Sequence, residues 1–145
     1  MTITAICQRT VDTVRPTDTA LLAAQRMASR CVGTLVVVDD AGSPIGMLTD
    51  RDIALRIVAA GCDPVATCVR DVMSGELTVV AESASIGDAL AQMRAHGVRR
   101  LPVVDAAGTL RGIVSIEDVL ALLAREMADV GAFVQATSPA RLATS

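Results

Sequence analysis

The chain repeats itself. Gly46 to Asp52 reads GMLTDRD and Gly112 to Asp118 reads GIVSIED, and the offset is constant: 112 − 46 = 66 and 118 − 52 = 66. Each stretch has the form of a buried strand running straight into a helix. Aligned without a gap at this offset, Val14–Asp52 and Val80–Asp118 share 12 of 39 residues. Chance at this composition gives about 3, so the chain holds two copies of one unit.

The first copy opens on a short strand, Val11 to Val14, ended by Arg15-Pro16. Thr17 to Thr19 supplies a helix start. Leu21, Ala24, Met27, Ala28 and Cys31 then fall at helical spacing, and Gly33 is expected to end that helix. Leu35 to Val38 is a β-branched strand, Asp39 to Gly42 a turn between antiparallel strands, and Pro44 to Thr49 the next strand. A helix over Asp50 to Ala60 carries Ile53, Ile57 and Val58.

Gly61 to Cys68 breaks the pattern and reads as a linker. The order then recurs: a strand at Leu77–Val80, a helix at Ser85–His96, strands at Leu101–Val104 and Leu110–Ser115, and a helix at Glu117–Met127. Residues 1–10 match the stretch ahead of the second copy, Asp71 to Glu76. After Met127 no period is evident, and SPARLATS reads as disordered or loosely docked. The expected fold class is α+β: two β-α-β-β-α repeats packed about a pseudo-two-fold axis. Repeat 1 spans 5–60, the linker 61–68, repeat 2 69–126 and the tail 127–145. A unit of about 60 residues is too small to be very stable alone, so the copies should share an interface, and sites should come in pairs.

The composition narrows the chemistry. Aromatics amount to one Phe, with no Trp and no Tyr, so any flat ligand must lie between aliphatic side chains. Net charge is −3, with no basic run, which argues against general nucleic-acid binding. No stretch has the ~18 apolar residues of a membrane helix, and MTITAICQRT does not read as a secretory signal, so a cytoplasmic protein is expected. Cys7, Cys31, Cys62 and Cys68 form no CxxC pair and are read as reduced thiols. Cys62 and Cys68 flank the linker, which leaves a redox pair as a minor alternative.

In each copy a hydroxyl precedes an acid by three residues: Thr49 and Asp52, then Ser115 and Asp118. That is the spacing of a capping box, and Ser85 with Asp88 shares it. The functional alternative is an anion site at a helix start, with a carboxylate able to accept two hydrogen bonds from a ribose diol. Spacing alone does not separate the two.

The wider context does. VGTLVVVDDAG followed by GMLTDRDI, and VRRLPVVDAAG followed by GIVSIEDV, resemble a tandem pair of CBS domains, the cystathionine-β-synthase type regulatory module also called a Bateman module. The likeness covers about residues 5 to 126 and is nearest to stand-alone bacterial two-CBS proteins. It implies a regulatory adenine-nucleotide ligand, AMP, ADP, ATP or a related adenosyl compound, in clefts between the repeats, with no cofactor required and no catalysis. By resemblance, Asp52 and Asp118 bind ribose, and Thr49 and Ser115 sit beside ribose or phosphate. Val14 and Val80 line the base, with Met47 and Ile113 packing on it. Val32-Gly33 and Val98-Arg99 face the ligand, and Arg99 and Arg100 meet phosphate. Arg51 and His96 are further candidates. Glu82 stands where the first copy has Pro16 and would weaken an anionic ligand. A homodimer through Val119, Leu122 and Leu123 and an unidentified downstream partner complete the expectation. The alternative is an interaction protein whose clefts no longer bind.

Overall fold

The computed structural model describes residues 1–139. Two three-stranded sheets carry the repeats. In the first, β1 (Thr13–Val14) pairs parallel with β2 (Thr34–Val38), which pairs antiparallel with β3 (Pro44–Thr49). In the second, β4 (Val80–Ala81), β5 (Arg100–Val104) and β6 (Leu110–Ser115) repeat that order, so α+β with two β-α-β-β-α units is the observed architecture. Helix α1 (Ala20–Arg30) crosses from β1 to β2, and α4 (Ile86–His96) from β4 to β5. The expected β-branched strands supply the centre of each core, with Leu35, Val37, Leu101 and Val103 fully buried.

Four details differ from expectation. Helix α1 ends at Arg30 with Cys31 in the left-handed region (φ 54°), two residues before Gly33, and the Val32 N–H closes the turn on the Met27 carbonyl. Its buried face is Ala20, Ala23 and Met27, while Leu21 and Leu22 are exposed; small residues let the helix approach the sheet closely. The helix after β3 is divided, an α-turn α2 (Asp50–Ile53) followed by a π-helical stretch, Ala54–Val58, of which Ile57 is buried and Val58 exposed. The last helix, α5 (Ile116–Ala136), runs well past Met127. The end of the expected tail, 140–145, lies outside the described residues.

A short helix unforeseen in the sequence, α3 (Val69–Val72), explains how the units join. Val69 and Val72 are buried in the core of the first unit, with Val14, Leu35 and Ile57. At the same offset a 3-10 turn, Ile3–Ala5, places Ile3 in the core of the second unit, with Val80, Leu101 and Val114. Packed units are therefore shifted against the sequence repeats: each is completed by the segment that leads into the other.

Backbone pairing fixes this arrangement. Gln8 and Ile113 exchange N–H···O bonds of 2.8 and 2.9 Å, and Ser74 and Met47 exchange bonds of 2.9 and 3.1 Å. The glycines of the repeated junction make room for them. A Cβ on Gly46 would lie 2.8 Å from the Ser74 carbonyl oxygen, and one on Gly112 would lie 2.7 Å from the Gln8 carbonyl oxygen. Gly112→Ala is expected to cost about 1–3 kcal/mol, the scale of overpacking. Urea unfolding measures the loss, and amide exchange should show Gln8 and Ile113 deprotected. Gly131→Ala, in open helical space, should instead gain ~0.5–1 kcal/mol.

Candidate functional site

Two clefts lie between the units, and their walls correspond at the repeat offset. The first encloses about 690 Å³ and is lined by Thr10, Val11, Asp12, Val32 and Gly33 of one repeat, with Ile113 and Arg100 from the other. The second encloses about 570 Å³ and is lined by the counterparts Glu76, Leu77, Thr78, Val98 and Arg99, with Met47 and Thr34 from the other side. Thr49, Arg51, Thr34 and Arg100 line both. Each cleft thus combines aliphatic walls, exposed strand-end backbone, hydroxyls and guanidinium groups. A third hollow of about 590 Å³, between α4 and the start of α5, draws all its walls from the second unit and is largely apolar.

Of the thirteen residues singled out from the sequence, eight line the inter-unit clefts: Val32, Gly33, Met47, Thr49, Val98, Arg99, Arg100 and Ile113. Five do not. Val14 and Val80 turn their side chains into the two cores, which leaves only their backbone for a ligand. Ser115, Asp118 and Asp52 are engaged in helix caps.

Those caps are complete. The Thr49 hydroxyl accepts from the Asp52 N–H at 3.1 Å, and Asp52 Oδ2 accepts from the Thr49 N–H at 2.9 Å. Ser115 and Asp118 make the same box, at 3.2 and 2.8 Å, and the Ser115 hydroxyl also approaches Asp118 Oδ2 at 3.0 Å. The other Asp118 oxygen accepts from Gln8 Nε2 at 3.1 Å, so each of its oxygens has a partner within the chain. Asp52 Oδ1 has a looser neighbour, Arg56 at 3.8 Å, and keeps capacity to accept. Ser85 and Asp88 form a third box, as their spacing indicates.

Several charges were placed differently by the sequence. Glu82 lines neither cleft; the acid in the second cleft is Glu76. Of the two further candidates, Arg51 lines both, and His96 lines neither, its Nδ1 lying 3.1 Å from the Gln92 carbonyl. Arg99 donates to Glu117 at 2.7 Å. That hydrogen bond holds the Glu117 carboxyl below its usual range. Its share of stability is present above the ordinary glutamate value and is lost as pH falls through the lowered one. All four cysteines are free thiols. Among the described residues, no three His, Cys, Asp or Glu side chains converge on a metal-ion position, and no helix is long and apolar enough to cross a membrane.

The CBS domain family model matches residues 3–59 and again 69–125. The chain is 46% identical over 109 residues to CBS domain-containing protein YhcV of Bacillus subtilis, covering 75% of this chain and 76% of that protein. It is 37% identical over 115 residues to an uncharacterized protein of Methanopyrus kandleri, covering 79% of this chain but spanning only 59% of that protein's length. Among solved structures it resembles Hypoxic Response Protein I with two coordinated zinc ions, at 35% identity and TM-score 0.75, over 83% of this chain and 97% of that one. The CBS domain pair of protein MJ0100, solved with 5'-methylthioadenosine and S-adenosyl-L-methionine, shares the fold at 21% identity and TM-score 0.75, over 87% and 98% of the chains.

Removing the Asp118 carboxylate tests the capping role directly. Asp118→Ala is expected to cost about 1 kcal/mol, the usual scale of a lost cap, read as a lower urea midpoint, together with faster amide exchange at Gln8.

Proposed function

Because the chain belongs to the CBS domain family and holds two copies of the domain, we propose that it is a non-enzymatic regulatory module. It binds an adenosyl ligand, AMP, ADP, ATP or a related compound, in the clefts between its repeats. The observation that carries this reading is the matched pair of inter-unit clefts, each with aliphatic walls, strand-end backbone, hydroxyls and arginine. Aliphatic pairs such as Val32 with Ile113, and Val98 with Met47, suit the two faces of a purine where no aromatic ring is at hand. Thr49 and the guanidinium groups suit ribose and phosphate. The complex of the MJ0100 pair adds that this fold accommodates adenosyl compounds.

The ribose contact is the least symmetric part. Asp52 Oδ1 has only the loose Arg56 neighbour at 3.8 Å, whereas Asp118 Oδ1 already accepts one bond from Gln8 and has one acceptor site left for a diol. Regulation follows if ligand binds one arrangement of the two units better than another, which shifts the population between them.

Isothermal titration with adenosine, AMP and ATP, with thermal shift alongside, tests the reading. Saturable heat is expected, with stabilisation of about 2.7 kcal/mol at a hundredfold excess over Kd. No heat and no shift at millimolar ligand would leave the alternative, an interaction protein that keeps the fold and uses its aspartates only as caps.

We also propose a homodimer. The expected face of Val119, Leu122 and Leu123 is corrected by the structure: Val119 is buried and Leu122 half-buried. The exposed stripe is Leu120, Leu123, Met127, Val130 and Val134, each more than half exposed, spaced three and four apart along one helix. That spacing keeps the side chains on one seam, and an apolar seam about 20 Å long gains from burial against a second copy. Light scattering should give the dimer mass, and Met127→Glu should shift it toward the monomer. A monomeric parent chain would refute the dimer.

A further inference from the structure

The family match ends at residue 125, yet α5 continues to Ala136. The extension carries Phe133, the one aromatic residue of the chain, and leaves it 68% exposed. Phe133 stands two heptads after Val119, so the two side chains leave the helix within about 40° of each other. Val119 is 3% exposed and packs into the second unit. At Phe133 the same face has run past the unit that buries it.

The third hollow, between α4 and the start of α5, has the complementary character. In the first unit α1 and α2 pack together, whereas α4 and α5 make little contact, and the space between them encloses about 590 Å³. Gly87 lines it where the first unit has Leu21 at the repeat offset. Leu90, Met93, Val98 and Ile116 give it apolar walls. Arg94 and Arg99 line it too, and a guanidinium group favours the face of an aromatic ring. The ring of the same chain cannot enter, because Phe133 and Ile116 lie on one helix, 133 − 116 = 17 residues or about 25 Å apart.

A second copy brings them together. With two α5 helices antiparallel and the two-fold axis at Arg125, Leu123 meets Met127 of the second copy, Leu120 meets Val130, and Ile116 meets Val134. Every seam residue then faces an apolar one, and each contact recurs about the axis. The same register sets Phe133 of one copy beside the turn from Ile116 to Val119 of the other, on the side that faces the unit and its hollow. The five seam side chains offer on the order of 500 Å² per copy, so the pair falls short of the ~1,200–2,000 Å² of a stable interface, and a buried ring in each hollow supplies the difference.

We propose that Phe133 of each copy docks into the hollow between α4 and α5 of the other, so that α5 pairs antiparallel across the dimer. This rests on the homodimer reading above and adds to it an orientation and an aromatic anchor.

Phe133 is the only source of phenylalanine ring signals, so the contact can be read directly by NMR on full-length chains. In a mixture of isotope-labelled and unlabelled chains, its ring protons should show intermolecular NOEs to the methyl groups of Met93, Val98 or Ile116. Phe133→Ala should raise the dimer Kd at least about tenfold by sedimentation equilibrium. Gly87→Leu, which gives α4 the residue that α1 carries at Leu21, should fill the hollow and raise Kd likewise, with the circular dichroism of the parent chain retained. A dimer with no such NOE, and that neither variant weakens, overturns the docking and leaves the homodimer standing. A monomeric parent chain overturns both and leaves the hollow to a different occupant.

Discussion

The two backbone bridges, Gln8 with Ile113 and Ser74 with Met47, are what the rest of the structure depends on. Each adds a short segment beside the last strand of a three-stranded sheet. Four N–H···O bonds contribute on the order of 0.5–1.5 kcal/mol each, and the larger gain comes with them: Ile3 and Val69 are carried into the two cores, where both are fully buried. The bridges also set the clefts. Ile113 and Met47 pair through their backbones and present their side chains to the first and second cleft respectively. Interlock and binding wall are the same residues, which ties the geometry of each cleft to the integrity of the opposite unit.

The two units are nevertheless built differently in the chain. The first is continuous, since α3 and Ser74 follow directly from it. The second is closed only when the N-terminal segment returns to β6, and the Gln8–Asp118 hydrogen bond spans 110 residues. Ordering that segment costs loop-closure entropy, which rises slowly with length. The capping box of α5 therefore does two things: it starts the helix, and through Asp118 it anchors the N-terminal segment. Asp52, its counterpart, anchors nothing comparable, because Ser74 stands where the second unit has Gln8.

Much of this was legible in the sequence, for identifiable reasons. Buried β-branched strands and the Asp-Ala-Gly turns carry strong local signals, and the turns are as expected, with Gly42 and Gly108 at φ near 80°. The glycine of the repeated junction was visible, but its reason was not: it answers to a carbonyl oxygen from a segment distant in sequence for Gly112, and no local pattern reveals that. Leu21 misled because helical spacing suggested burial where Ala20 and Ala23 allowed closer packing. α5 was read short because no period was evident after Met127, although Val130 and Val134 continue the exposed seam of Leu120, Leu123 and Met127. In the site, the cleft-facing residues before β2 and β5 were legible from the family resemblance. The extra Gln8 bond to Asp118 was not, since Asp52 and Asp118 share a motif and differ only in a neighbour from another part of the chain.

The same comparison shows where the pseudo-symmetry has been given up. Backbone, bridges, glycines and caps are alike in the two halves; the charges are not. At the repeat offset Gly33 corresponds to Arg99, Thr34 to Arg100, Thr10 to Glu76, and Arg51 to Glu117. None of these positions belongs to either core, so the cores place no demand on their sign. What they share is position at or beside the inter-unit clefts. A sheet scaffold duplicated almost unchanged thus carries different charges in its two halves: Arg99 is paired with Glu117 in the second, and the corresponding positions of the first are Gly33 and Arg51.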